Sequence, residues 1–317
     1  MSRAFPEYLT VDYELGDGQT PADYPGIGEK IEQAVEITRE GLEQYRSPAV
    51  MWTGGKDSTL VLYFVREVAN EYGFDLPPTV FIDHYEHFPG ILDFVDRWTK
   101  RWGLDLVVAR NDDISRLGAS PGDEIAVDQF NETNRQELDR LDHDEDSVVV
   151  DADSFVGNHL LKTVALNETI TEHGFDGIFS GVRWDEQEAR SSETFFSPRH
   201  DSEKYPPHDR VHPILQFDER AVWDATWGYV VPDTVAGYPA GHVPESIDDL
   251  PEGIAPEDIP VSPKYFEGFR SLGTKEGSGR AADRPAWLQD LDGTQERGGR
   301  AQDKENIMER LRDLGYM

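Results

Sequence analysis

The chain has 317 residues, with 63 acidic and 30 basic side chains, a formal net charge of −33 and no cysteine. The missing cysteine excludes disulfides, thiolate metal sites and catalysis by a protein thiol. The negative charge argues against binding to nucleic acid or to anionic lipid, because both require clustered Lys and Arg.

Helix and strand patterns alternate through the first part of the chain. Apolar residues at helical spacing predict an opening helix over 26–46, and short apolar runs predict buried strands. The predicted strands are 49–52, 79–83, 105–109 and 176–180. The predicted helices between them are 58–72 (with Gly73 as C-cap), 90–102 and 158–173. This alternation predicts a doubly wound α/β fold, a mostly parallel sheet with helices on both faces.

Later segments depart from the alternation. Residues 111–146 form an acidic insertion that we expect to be rich in loops, and residues 181–217 are mainly polar. Asp218 is the expected N-cap of a short helix over 218–230.

The last part of the chain has a different composition. Seven prolines in residues 232–263 predict an irregular segment that wraps the core, and the final helix is predicted over 303–314. We therefore expect three regions. These are an N-terminal segment and helix (1–46), a nucleotide-binding α/β domain (47–231), and a proline- and glycine-rich extension ending in a helix (232–317).

A glycine-rich turn, T-G-G-K-D-S, follows the first predicted strand at residues 53–58. Its two glycines allow a tight turn in which several backbone amides face one anion. The following helix adds about half an elementary positive charge at its N-terminus, and Lys56 adds a full one. Asp57 caps the helix or holds the loop, and the hydroxyls of Thr53 and Ser58 donate to phosphate or lie near a bound Mg²⁺. The turn predicts a polyphosphate site, although it matches neither a Walker A loop nor a dinucleotide-binding glycine motif.

The same turn resembles the pyrophosphate loop of the adenine-nucleotide α-hydrolase group, whose members bind ATP or an adenylylated product. Residues 81–89 (FIDHYEHFP) resemble the V-D-T-G…F-P-E stretch of phosphoadenylylsulfate (PAPS) reductases and of the small subunit of sulfate adenylyltransferase. Further segments resemble that subunit, in order, to the end of the chain. They are residues 161–163 (LKT), 174–176 (GFD), 180–190 (SGVRWDEQEAR), 269–273 (FRSLG), 296–300 (ERGGR) and 314–316 (LGY).

Four arginines are candidates for binding an oxyanion. The guanidinium forks of Arg183 and Arg190 match sulfate or phosphate oxygens, although charged runs are also often plain ion-paired surface. Arg270 and Arg280, each beside glycines, are second candidates. The predicted catalytic residues are Lys56, Arg183 and Arg190. The predicted nucleotide and pyrophosphate contacts are Thr53, Gly54, Gly55, Lys56, Asp57, Ser58, Asp83 and Gly181.

Several polar residues have a competing structural interpretation. Asp83, at the end of a predicted strand, either contacts the nucleoside or caps a turn. His84, His87 and His159 lack the spacing of a metal site, so we expect solvent-facing or structural roles and no protein-only metal site. Thr274 stands where the small subunit usually has a cysteine, which suggests that adenylyl transfer does not need a thiol there.

The resemblance implies an enzyme that transfers AMP from ATP to sulfate or a related oxyanion and releases pyrophosphate, with Mg²⁺ and a GTPase partner subunit. One alternative is a relative of the sulfonucleotide reductases that borrows a thiol from a partner. Another is a catalytically silent nucleotide sensor or scaffold. We interpret the acidic surface as an adaptation to high internal salt. We also expect a cytoplasmic protein without a membrane span or signal peptide.

Overall fold

Six strands form the central sheet of the computed structural model, which describes residues 9–201, 205–275, 277–294 and 296. The strands are β1 (Pro48–Met51), β2 (Thr79–Ile82), β3 (Leu106–Ala109), β6 (Gly177–Phe179), β7 (Phe196–Arg199) and β8 (His208–Val211). Their spatial order is β3-β2-β1-β6-β8-β7, and all neighbouring pairs are parallel except β7 and β8. The predicted mostly parallel α/β sheet is confirmed.

Helices cover both faces of this sheet. The helices are α1 (Ile27–Gln44), α2 (Lys56–Tyr72), α3 (Ile91–Trp102), α4 (Asp112–Leu117), α5 (Glu132–Arg140), α6 (Phe155–Asn158), α7 (Ala165–His173), α8 (Glu219–Ala225), α9 (Val231–Thr234) and α10 (Pro263–Phe266). The chain forms π-helical turns at His159–Val164 and Thr226–Val230. No helix in these ranges is long and apolar enough to cross a membrane.

The two faces have separate apolar cores. On one face, α1, α2 and α3 pack in the largest core cluster, which includes Trp52, Phe64 and Trp98. On the other, Leu166 and Ile170 of α7 pack with strand residues in a smaller cluster. The positive φ of +76° at Gly73 confirms it as the C-cap of α2.

The acidic insertion is more regular than its composition indicates. It contains α4, α5 and β4 (Glu124–Ala126), which pairs antiparallel with β5 (Ser147–Val149) just after the insertion. The prediction of a loop-rich stretch is therefore wrong here. The elements are short, but Ile125, Phe130 and Leu138 bury a core of their own against Leu160 and Leu161 of the following helical stretch.

Strands β7 and β8 lie in the stretch expected to be merely polar. All four residues of β8 (His208–Val211) are buried, although three of them are charged or titratable. Asp209 accepts hydrogen bonds from the hydroxyls of Tyr13 and Tyr45, at 2.9 and 2.8 Å. A strand whose polar groups are satisfied by distant residues has no apolar run, which is why the sequence did not reveal it.

The described part of the C-terminal extension packs against α8 and the π-helical turn that follows it. Between α9 and α10 it has only 3₁₀ turns as regular structure in the residues described, at Ile247–Asp249 and Pro256–Asp258. Ile259 and Val261 pack there with Trp223, Trp227 and Trp287. Asp218 caps α8 as expected, since its side chain accepts a hydrogen bond from the Ala221 amide at 2.8 Å. The helix predicted over 303–314 lies outside the described residues.

Glu168 on α7 gives a pH-dependent prediction for stability. Burial, together with the charges of Asp112 and Asp113, raises the pKa of Glu168 to about 7. Because an unfolded Glu ionises at lower pH, its contribution is present in acid and is lost as the pH rises toward 7 and above. We expect Glu168→Gln to raise the free energy of unfolding by about 1–2 kcal/mol at pH 8 and to change it little at pH 4.

Urea denaturation at the two pH values measures this difference, because urea does not screen charge. Glu172→Gln, at an exposed position on the same helix, is the matched control. An equal effect of Glu168→Gln at both pH values would show that the Glu168 charge has no bearing on stability.

Candidate functional site

The glycine-rich turn lies where the strand order of the sheet reverses. Strand β1 pairs with β2 on one side and with β6 on the other, so the chain crosses over in opposite directions from this point. Ligands of open α/β sheets bind in the crevice outside the carboxyl ends of the strands at such a point. Residues 53–58 follow β1 there, and Gly181 follows β6.

The backbone of the turn matches the prediction from its glycines. Gly54 has φ +74°, a left-handed conformation that favours glycine. Gly55 is extended and is the N-cap of α2. Helix α2 begins at Lys56, two residues earlier than predicted, so Asp57 is in its first turn and does not cap it.

Hydroxyl groups tie the two ends of the turn together. The Ser58 hydroxyl accepts a hydrogen bond from the Thr53 amide and lies within hydrogen-bond distance of the Thr53 hydroxyl, at 3.1 Å in each case. The Thr53 hydroxyl also accepts from the Gly55 amide at 3.3 Å. The two hydroxyls therefore hold the loop through these contacts.

The backbone amides of the turn divide into two groups. The Lys56 amide donates to the hydroxyl of Tyr265 at 2.8 Å, across more than 200 residues of sequence. Among the described residues, the amides of Gly54, Asp57 and Ser58 have no hydrogen-bond acceptor. The amides of Asp57 and Ser58 belong to the first turn of α2, a 17-residue helix. Unpaired amides at the N-terminus of a helix are suited to binding an anion.

Two buried cations adjoin the turn, and both are already paired. Lys56 Nζ lies 3.0 Å from Asp57 Oδ2 and 2.6 Å from Glu296 Oε1. Arg183 donates to Glu296 Oε2 at 2.6 Å, to Asp185 Oδ1 at 2.8 Å and to Asp57. The structure thus brings two of the three predicted catalytic residues together, and it adds Glu296, which sequence analysis did not select.

The charges of this cluster are strongly coupled. Burial lowers the pKa of Lys56, but the carboxylates of Asp57 and Glu296 outweigh it and raise that pKa above its usual value. Burial raises the pKa of Glu296, but the charges of Lys56 and Arg183 outweigh it and hold that pKa well below the usual range. All three groups are therefore ionised at neutral pH.

A cavity of about 270 Å³ opens beside the turn. The loop residues Thr53 and Gly55 to Ser58 line it, together with Gly181, Glu186 and Arg190. Other polar lining residues are His84, His87, Asn158 and Lys162, and apolar surface comes from Met51, Ile82, Ile91, Val182 and Leu272. A larger groove of about 710 Å³ lies elsewhere, between α2, α3 and the C-terminal extension, and the turn does not line it.

Arg183 and Arg190 differ in their access to this cavity. Arg190 is 5% exposed and lines it. Arg183 is 1% exposed and is not among the lining residues, whereas its partner Glu296 is.

The structure does not bring Arg270 and Arg280 into the cavity. Arg270 is buried in an ion pair with Glu219, at 2.5 Å, and donates to the Thr294 hydroxyl at 2.5 Å. Arg280 is exposed and pairs with Asp283 at 2.6 Å. Arg270 is therefore an anchor between α8 and the chain just before Glu296, and neither side chain contacts the turn.

Asp83 is not among the residues that line the cavity. Its carboxylate accepts hydrogen bonds from Arg110 Nε at 2.8 Å and from the Tyr85 amide at 3.0 Å, and it lies 3.1 Å from His87 Nε2. These partners overcome burial and hold the pKa of Asp83 below its usual range. Its neighbours His84 and His87 line the cavity instead, with ring centroids 4.0 Å apart.

Thr274, Asp153 and Asn158 also line the cavity. The Thr274 hydroxyl lies 2.7 Å from both carboxylate oxygens of Asp153. Asn158 donates to the Ala152 carbonyl at 2.8 Å, while its own side-chain oxygen is buried and lacks a partner in the described chain. A buried acceptor of this kind at a cavity wall is suited to a ligand N–H or O–H.

The donor set near the turn fits Mg²⁺ only in company with a phosphate ligand. Within the described ranges, no group of three or more His, Asp or Glu side chains is arranged to hold a metal ion. Mg²⁺ commonly binds one or two carboxylates together with substrate phosphates and water. Asp57 and the hydroxyls of Thr53 and Ser58, all on the cavity wall, are donors of that kind.

In comparison with known protein families, residues 47–233 match the phosphoadenosine phosphosulfate reductase domain. A protein from Aeromonas salmonicida named sulfate adenylyltransferase subunit 2 is 26% identical over 60% of this chain and 59% of its own length. One of the same name from Pseudoalteromonas translucida is 23% identical over 90% of this chain and 96% of its own length. The match to the first of these relatives thus spans about three fifths of it.

Among solved structures, Candida glabrata FMN adenylyltransferase in complex with FMN and the ATP analogue AMPCPP has a TM-score of 0.50 and 16% identity. The match covers 93% of this chain and 88% of that one. At this identity the likeness shows the fold alone.

Proposed function

Because this chain belongs to the phosphoadenosine phosphosulfate reductase domain family, we propose that it is an ATP-dependent adenylyltransferase acting on sulfate or a related oxyanion. The observation that carries the proposal is the turn at the β1–β6 switch point, where unpartnered amides of α2 adjoin Lys56 and Arg183 beside a cavity. The relatives named sulfate adenylyltransferase subunit 2 support this choice of reaction.

In the proposed reaction a sulfate oxygen attacks the α-phosphorus of ATP. A new P–O bond forms, the bond from the α-phosphorus to the oxygen bridging to the β-phosphate breaks, and pyrophosphate leaves. No proton is transferred and no protein nucleophile is needed, which is consistent with a chain that lacks cysteine.

The protein would contribute position and charge. The amides of Asp57 and Ser58, with Lys56, would hold the leaving pyrophosphate, and Arg190, which also lines the cavity, would orient the attacking oxyanion. Asn158 and the apolar wall would accept the adenine, since its exocyclic amine can donate to the free Asn158 oxygen. Mg²⁺ carried by the phosphates would neutralise the charge that develops on the leaving group.

A partner subunit is part of the proposal. The name of these relatives, sulfate adenylyltransferase subunit 2, implies an assembly with another subunit, and the family resemblance suggests that the partner is a GTPase. Copurification with the products of neighbouring genes tests this directly.

Pyrophosphate release from ATP, measured with and without sulfate, tests the reaction. Sulfate-dependent release, with adenylyl sulfate as the second product, is the expected result. Sulfite formation from a sulfonucleotide and an added thiol would favour the reductase alternative, and ATP binding without any turnover would favour a sensor.

A further inference from the structure

Glu296 occupies the place that an anionic ligand needs. Its two carboxylate oxygens bridge Lys56 and Arg183 at 2.6 Å each, and its side chain is 8% exposed. Both oxygens of one group thus contact the two cations at the turn, as two oxygens of a phosphate would. Glu296 also lines the cavity, while Arg183 behind it does not.

The charge of the cluster shows that this state does not attract an anion. Lys56 and Arg183 contact three carboxylates, those of Asp57, Asp185 and Glu296. Two positive and three negative charges leave an excess of one negative charge beside the turn. A pyrophosphate that entered without displacing any of them would meet repulsion.

Glu296 is the carboxylate that the fold can release. Asp57 is in the first turn of α2, close to the backbone that it flanks. Asp185 is two residues from Arg183, and its second oxygen accepts from the Glu219 amide at 2.9 Å. Glu296, by contrast, is 240 residues from Lys56 and 113 from Arg183 along the chain.

The chain before Glu296 has an anchor of its own. Arg270 donates to the side chain and to the carbonyl of Thr294, at 2.5 and 3.1 Å, and its other partner is Glu219 of α8. Thr294 is therefore held by contacts that do not involve the turn. Glu296 can leave Lys56 and Arg183 while these contacts stay in place.

We propose that Glu296 is a specificity-determining residue, an internal anion that fills the pyrophosphate position and yields only to a more highly charged ligand. This inference rests on the proposed function, because it assigns pyrophosphate to the turn. Release of Glu296 would expose Arg183 to the cavity at the moment when the ligand arrives. An anion of lower charge, such as inorganic phosphate or sulfate, would not displace the carboxylate from the turn.

Titration calorimetry at one fixed salt concentration tests the proposal with wild type, Glu296→Gln and a matched Glu267→Gln control. Glu267 is an exposed carboxylate paired with Lys264, away from the cavity. If the released state is about 1–10% of the free protein, Glu296→Gln should bind pyrophosphate roughly ten to a hundred times more tightly than wild type. It should also gain measurable binding of inorganic phosphate, whereas Glu267→Gln should behave as wild type.

A second measurement follows the movement itself. Because the chain has no cysteine, a single Gln295→Cys substitution, between Thr294 and Glu296 in the sequence, accepts one spin label. Pyrophosphate should increase the mobility of this label in the otherwise wild-type protein. In the Glu296→Gln background the mobility should already be high without ligand.

The outcomes separate the two claims. If wild type binds pyrophosphate but Glu296→Gln binds it equally or more weakly and the label does not respond, Glu296 only positions the cations and the inference is wrong. If neither wild type nor Glu296→Gln binds pyrophosphate or ATP, the proposed function itself fails, and the inference fails with it.

Discussion

Replacing Lys56 with methionine is expected to weaken pyrophosphate and ATP binding by roughly a hundredfold or more. Lys56 is 5% exposed and bridges Asp57 and Glu296 at the start of α2. Removing one member of a buried charge cluster leaves its partners without a counter-charge. In a binding site, the ligand also loses its contact with that charge. Calorimetry with pyrophosphate and with a non-hydrolysable ATP analogue measures the loss.

The same substitution is also expected to lower the free energy of unfolding, by about 3 kcal/mol, because Glu296 and Asp57 lose a buried partner. The double variant Lys56→Met/Glu296→Gln separates the two effects. Removal of the Glu296 charge should restore most of the stability but not the binding. Lys100→Met, at an exposed lysine paired with Asp96, is the matched control and should change neither quantity measurably. If Lys56→Met binds ATP as wild type does, the turn is not a phosphate site.

The turn itself could be predicted because everything that forms it is local. Two glycines, a lysine and the start of an apolar helix are contiguous in residues 53–72, and the short strand before them is apolar. The backbone conformation of Gly54 and the position of the turn at a strand end follow from these neighbours. The sequence therefore predicts the turn and the alternating βα units that carry it.

What the sequence did not predict depends on contacts between distant residues. Glu296 reaches the turn from 240 residues away, and only its place in a tail motif drew attention to it. The glycines beside Arg270 favour a role in oxyanion binding, but the contacts of its side chain are with Glu219 and Thr294. The net charge around an arginine or lysine depends on which carboxylates the tertiary structure brings to it. The spacing of residues along the chain does not show this.

Asp83 and His84 show the same limit in another form. The position of Asp83 at the end of a strand favours a nucleotide contact, but its carboxylate is hydrogen-bonded to Arg110 and His87. His84 lines the cavity in its place. Burial, with the charges of His87 and Lys162, lowers the pKa of His84 to about 3, so this ring is neutral at physiological pH and contributes no positive charge to the site.

Replacing Gly181 with alanine is the second substitution expected to have a large effect. A Cβ atom at this position would lie 2.9 Å from both the Asp57 carbonyl carbon and the Ser58 nitrogen. Such contacts are with backbone, so the start of α2 must shift away from the end of β6, and the added methyl group would cover an amide that the ligand needs. We expect pyrophosphate affinity to fall by roughly tenfold or more, with a loss of about 1–3 kcal/mol in the free energy of unfolding.

Gly28→Ala is the matched control for this substitution. Gly28 lies within α1, and a Cβ there would meet no atom within 4 Å, so alanine should leave binding unchanged and raise the free energy of unfolding by about 0.5–1 kcal/mol. Calorimetry with pyrophosphate and urea denaturation measure both variants. Since the two nearest atoms to this Cβ belong to the helix backbone and the third is the Asp57 Cβ rather than a charged atom, a selective loss of binding in Gly181→Ala would assign part of the affinity to the amides of α2. If Gly181→Ala binds pyrophosphate as tightly as wild type does, side-chain charges hold the ligand without the amides of α2.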